Sequence, residues 1–111
     1  MVILNAPKPV IVEKEEQIVI SLATKYTASA NEMLESSTFT EFQQRLQQHV
    51  QQLIDNNFEG LVQMMYRIDI DEKDFTFVLH HAEPDKVAER ITDLIIKRLF
   101  RKAYFRIKYS S

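Results

Sequence analysis

Asp69, Asp71 and Asp74 stand at spacings that calcium loops use, and His80 and His81 beside Glu83 and Asp85 are residue types that hold zinc. Neither group completes its chemistry. An EF-hand loop starting at Asp69 needs an oxygen ligand at its fifth position, Gly at its sixth and Glu at its twelfth. Those positions hold Lys73, Asp74 and His80. Adjacent side chains on a helix point about 100° apart, so His80 and His81 do not converge on one ion, and zinc motifs draw instead on i, i+4 pairs or loop ligands. His49 is isolated. No Gly-x-Ser-x-Gly elbow surrounds any serine, and the single glycine, Gly60, cannot make a phosphate-cradling loop. With no cysteine there is no thiolate nucleophile, disulfide or thiolate metal site. The acids read as helix caps and solvated side chains, and the expectation is a protein that is not an enzyme and carries no cofactor or metal.

The charges are unevenly laid out. All sixteen acidic residues lie at or before Asp93, whereas six of the fourteen bases crowd into Lys97, Arg98, Arg101, Lys102, Arg106 and Lys108. Phe100, Tyr104, Phe105 and Tyr109 are interleaved with them. On a helical wheel the bases take about half the circumference, and Ile96, Leu99, Phe100, Ala103, Tyr104 and Ile107 take most of the rest. Such a segment suits an anionic partner, a membrane surface or a helix docked on protein. It also suits plain electrostatics, because cations near a helix C-terminus each contribute about 0.3–1 kcal/mol.

The elements that must carry these residues are helical. One glycine in 111 residues is too few for a fold of many tight hairpins. Residues 1–12, with two of the three prolines and the run Val10-Ile11-Val12, read as an extended arm. Residues 13–111 read as one helical domain. A first helix is predicted over 14–36 from the three- and four-residue recurrence of Ile18, Leu22, Tyr26, Ala30 and Met33, although Ile18-Val19-Ile20 alone has strand character. Thr38-Phe39-Thr40-Glu41 has the form of a capping box and opens a second helix over 38–56, with Gln43, Gln44, Gln47, Gln48, Gln51 and Gln52 around its polar side. The short link between these two predicts an N-terminal αα-hairpin. Asn56 with Glu59 has the spacing of a third cap, and Phe58, Leu61, Val62, Met65 and Ile68 then share a face over 57–68.

Met64–Leu79 has two readings. Met64, Tyr66, Ile68 and Ile70 alternate, as do Phe75, Phe77 and Leu79, which fits a β-hairpin and an α+β fold. Against it, Asp71 can cap a helix over 72–81 in which Phe75, Val78, Leu79 and Ala82 fall on one face. Glu83-Pro84 then opens a last helix, 84–109. Its apolar stripe shifts from Val87, Ile91, Leu94 and Ile95 to the row through Leu99, so the helix either wraps across its own core or meets a second chain distally.

Leu61–Glu72, with Tyr66-Arg67-Ile68-Asp69, and Pro84–Arg98, ending Leu94-Ile95-Ile96-Lys97-Arg98, resemble a group of small uncharacterised bacterial proteins. These share a Tyr-Arg-Ile-Asp signature and a late helix ending Leu-Ile-Ile-x-Arg. The resemblance covers roughly the second half of the chain. It implies a helix over 71–82 and brings no activity, cofactor or catalytic residue. The fold expectation is all-α, about five helices, with the αα-hairpin packed on a long amphipathic C-terminal helix. Arg67 is expected to pair with Asp69 or Asp71 and so to fix Tyr66–Asp71 as a corner.

No run approaches the ~18 apolar residues of a membrane span, and the first residues lack the form of a secretory signal, so a cytoplasmic location is expected. The functional expectation is association through helices, with a second copy as a homodimer or with another protein. The competing class is nucleic-acid or other polyanion binding, in which the six bases contact phosphates while Tyr104 or Phe105 stacks on bases. A net charge of −2 weighs against the latter, since nucleic-acid domains are commonly basic.

Overall fold

The longest helix organises the molecule because two adjacent rows of its residues have nowhere to go but inward. Ile91, Ile95, Leu99 and Ala103 form one row, and Ala88, Thr92 and Ile96 the next; all are buried. The computed structural model describes residues 13–27, 36 and 38–109, and among these it contains five α-helices and no strand. They are α1 (Lys14–Tyr26), α2 (Phe39–Asn56), α3 (Phe58–Ile68), α4 (Glu72–His81) and α5 (Val87–Tyr109), the last preceded by a 3₁₀ turn at Pro84–Lys86. The other four α-helices all pack on α5. Thr92, the one polar residue buried with them among the described residues, donates its hydroxyl to the Ala88 carbonyl at 2.7 Å and brings no unmet hydrogen bond into the core.

Local signals start each helix. Glu13 precedes α1 and its N–H donates to the Glu16 carboxylate at 3.1 Å. The Thr38 hydroxyl accepts from the Glu41 N–H at 3.0 Å, while the Glu41 carboxylate reaches forward to Arg45 at 3.2 Å. Asn57, not Asn56, caps α3, accepting from the Gly60 N–H at 3.0 Å; the expected cap is displaced by one residue because α2 runs on through Asn56. The Asp71 carboxylate accepts from the Lys73 N–H at 2.8 Å and opens α4, which removes the hairpin reading of 64–79.

Two boundaries differ from expectation. The first helix does not run unbroken from 14 to 36: Thr27 is extended (φ −125°, ψ 157°) and α1 stops at Tyr26. The threonine is β-branched and carries little helical preference, so the apolar recurrence that continues past it is not by itself a helix. The continuation over 28–35 and the arm over 1–12 lie outside the described residues. The predicted face of α3 is also split. Leu61, Met65 and Ile68 are core, whereas Phe58 and Val62 are 43% and 41% exposed.

α2 runs antiparallel to α5, with the Phe39 ring 5.4 Å from Phe100 and the Gln44–Gln51 segment beside Ala88. α1 lies along α5 and is tied to the end of α3, where Arg67 donates to the Lys25 carbonyl at 3.4 Å and sits 5.9 Å from the Tyr26 ring centre. Arg67 is therefore spent on α1, not on the Asp69 or Asp71 pairing that its sequence position suggested. The apolar stripe of α5 stays on the core as far as Ala103, so the helix wraps across its own core; Tyr104, expected inside that stripe, is 50% exposed.

Leu99 is fully buried in the seam between α5 and its neighbours. Leu99→Ala is expected to destabilise the fold by about 2–5 kcal/mol, read as a fall in urea midpoint at constant slope. Gln52→Ala, on an exposed side chain of α2, should stay within about 0.5 kcal/mol. Equal effects would mean that the core is misplaced.

Candidate functional site

The corner between α3 and α4 is the first feature with functional geometry, and its backbone explains its shape. Asp69 takes φ 73°, ψ 47°, the left-handed conformation that Asp tolerates better than most residues. The Asp69 N–H donates to the Tyr66 carbonyl at 3.1 Å and the Ile70 N–H to the Met65 carbonyl at 3.0 Å, closing the end of α3 as a Schellman motif. Arg98 clamps this corner to α5: its Nε donates to the Asp69 carbonyl at 3.2 Å and its Nη2 meets the Asp69 carboxylate at 3.0 Å.

That clamp changes the meaning of the basic cluster. Across a cleft of about 390 Å³, Asp69, Asp71 and Asp74 face Lys97, Arg98 and Arg101. Three carboxylates thus stand opposite three of the six bases proposed to hold phosphates. Of the remaining three, Lys102 is half-buried, and Arg106 is exposed but lies about 160° around the helix from Lys108 at 100° per residue. The six bases do not form one surface. Lys97, Arg101, Tyr104 and Lys108 do share an outward row at spacings of four, three and four.

The far end of that row is aromatic. Tyr104 and Phe105 meet edge to face at 5.2 Å, and Phe105 and Tyr109 lie nearly parallel at 6.0 Å. Cations cover them: Arg101 is 5.9 Å from the Phe105 ring centre, and Lys108 is 5.7 Å from Tyr104 and 5.8 Å from Tyr109. The rings are held by each other and by their own helix's cations, while half of Tyr104 and 72% of Tyr109 remain open to solvent.

A second exposed apolar surface lies on α3. Phe58, Val62 and Tyr66 recur every four residues on the outer side of α3, and beside them α3 and α4 enclose a groove of about 340 Å³ floored by Met65, Phe75 and Leu79. Glu72 stands at its edge. The signal was present as the four-residue spacing of Phe58, Val62 and Tyr66. It was obscured because Leu61 and Met65 share the same helix and one apolar face was assumed where there are two.

No protein-family model, curated protein or solved structure matches this chain. The geometry therefore stands alone. Among the described residues no group of three His, Asp or Glu side chains converges as a metal site would require, and no helix is long and apolar enough to cross a membrane. His81 is engaged with Phe77, its Nδ1 being 3.1 Å from the Phe77 carbonyl and its ring stacked on Phe77 at 4.2 Å. The glutamine side of α2 forms a shallow polar hollow beside Ala88, with the Gln51 amide donating to Asp55 at 3.0 Å.

Two measurements test this account of the corner and the basic row. Asp69→Ala, which keeps a Cβ in the left-handed region and removes the carboxylate that Arg98 meets while leaving the carbonyl it also holds, should cost about 1–2 kcal/mol in chemical denaturation. Asp69→Gly relieves the backbone and should cost less than half as much. A labelled single-stranded oligonucleotide, followed by anisotropy at about 50 mM salt, should bind more weakly than the ~10⁻⁴ M limit typical of non-specific binders. Tighter, steeply salt-dependent binding lost in Lys97→Glu/Arg101→Glu would restore the polyanion reading.

Proposed function

We propose that this is a non-enzymatic association protein that binds another polypeptide, first of all a second copy of itself, through the groove between α3 and α4. One observation carries the reading: an apolar ridge of Phe58, Val62 and Tyr66 is left open on a small helical domain, beside a groove whose floor of Met65, Phe75 and Leu79 is the edge of the core. Exposed large apolar side chains scattered singly are ordinary, but a ridge with an adjoining groove is the form that protein contacts take. The placement of acids against Lys97, Arg98 and Arg101 favours this over phosphate recognition. It also moves the expected contact from the distal stripe of the last helix, which is buried as far as Ala103, to α3 and α4.

Size-exclusion chromatography with light scattering tests the proposal at about 100 μM, above most weak self-association constants. The expected mass exceeds that of one chain and falls towards it on dilution. Val62→Asp/Tyr66→Asp, at two solvent-facing positions, should return the protein to a monomer with its helical circular dichroism intact. A wild-type monomer at that concentration removes self-association.

A further inference from the structure

Resting on that proposed self-association, we infer that the groove between α3 and α4 is filled by the aromatic end of α5 from a second copy. Among the described residues the exposed large apolar side chains that gather in groups are the ridge of the groove and the trio Tyr104, Phe105 and Tyr109, while Phe77, 60% exposed, stands alone with its ring stacked on His81. The groove and the trio are complementary in shape, one concave and one projecting. They are also complementary in charge. Glu72 stands at the groove, with Glu59 exposed on the same helix as its ridge, whereas Lys108 and Arg101 lie over the rings.

Charge decides among the pairings open to two copies. Groove against groove brings together two surfaces that carry Glu59 and Glu72, and ring cluster against ring cluster brings together two that carry Lys108. Like charges placed together across an interface penalise the wrong arrangement. Ring cluster into groove brings opposite signs together and removes both apolar surfaces from water in one contact.

The contact has to be between molecules. Arg98 fixes α5 beside the α3–α4 corner, and Tyr109 lies eleven residues further along the same unbroken helix. At 1.5 Å per residue that is about 16 Å away, so the end of α5 cannot fold back into its own groove. The ring cluster is preformed by its mutual packing, which reduces the ordering needed on binding. Three aromatic side chains at ~150–250 Å² each, exposed to 50%, 39% and 72%, offer on the order of 250–400 Å² to a partner, well below the ~800 Å² per partner of a standard interface. A weak contact is expected, with a dissociation constant in the range of ~10–100 μM.

Because the two surfaces are different, complementation tests the pairing. Phe105→Asp/Tyr109→Asp destroys the projecting surface and leaves the groove; Val62→Asp/Tyr66→Asp does the reverse. Each variant alone should be monomeric by light scattering, with at least tenfold weaker association than wild type, and an equimolar mixture should recover a one-to-one heterodimer. Circular dichroism confirms that each is folded. A second pair avoids the apolar positions: Lys108→Glu and Glu72→Lys should each weaken association alone, and their mixture should recover it. If wild type assembles and the Phe105/Tyr109 variant assembles equally well, the inference fails while groove-mediated association stands. If neither mixture recovers association, the inference is likewise overturned. A wild-type monomer at about 100 μM removes both.

Discussion

Burial of the two inward rows of α5 is the constraint on which the rest of the structure depends. Ile91, Ile95, Leu99 and Ala103 are at most 1% exposed, and each of the other four helices presents its own apolar side to that surface. Full burial of a large aliphatic side chain contributes about 1.5–3 kcal/mol, so a few such residues account for stabilisation on the scale of a whole domain's net stability. The consequence for function is indirect but firm. A helix whose inner side is committed to the core can recognise a partner only with its outer side and its end, and here those carry Lys97, Arg101, Tyr104 and Lys108.

The same commitment accounts for the fate of the basic cluster. In sequence the six bases are neighbours and look like one surface. In the fold they are distributed around a helix whose neighbours are already charged: Asp69, Asp71 and Asp74 stand across from Lys97, Arg98 and Arg101. Arg98 holds the α3–α4 corner, a structural task that a count of charges along the chain cannot reveal, because its partner lies twenty-nine residues away. Position on the helix, not composition, decides which cations are available to a partner.

What was legible in the sequence follows the range of the interactions involved. Thr38 and Asp71 announce helix starts through hydrogen bonds that span two or three residues, and the structure contains those bonds. The all-α fold and the long last helix rest on the same local logic. The end of α1 at Tyr26 carries no Gly or Pro to mark it. The left-handed turn at Asp69 was concealed by an alternation of apolar and polar residues that equally suits a strand. The groove was hidden for a different reason. α3 has apolar residues on two sides, and whether Phe58 and Val62 face inward depends on where α4 and α5 lie, which is information held by distant residues.

A chain whose hub is its last described helix faces a particular difficulty in synthesis. α1, α2, α3 and α4 precede α5, so during translation their apolar sides emerge before the surface that covers them. Helices of ten to eighteen residues are marginal in isolation, and domains emerge at ~5–20 residues per second, far slower than helices form and dissolve. The 28 residues that follow His81, through Tyr109, take about 1–6 s to add at that rate, and for that time the segment through His81 lacks the helix its apolar sides pack against. Burial against Ile91, Ile95, Leu99 and Ala103 has to wait for that last segment.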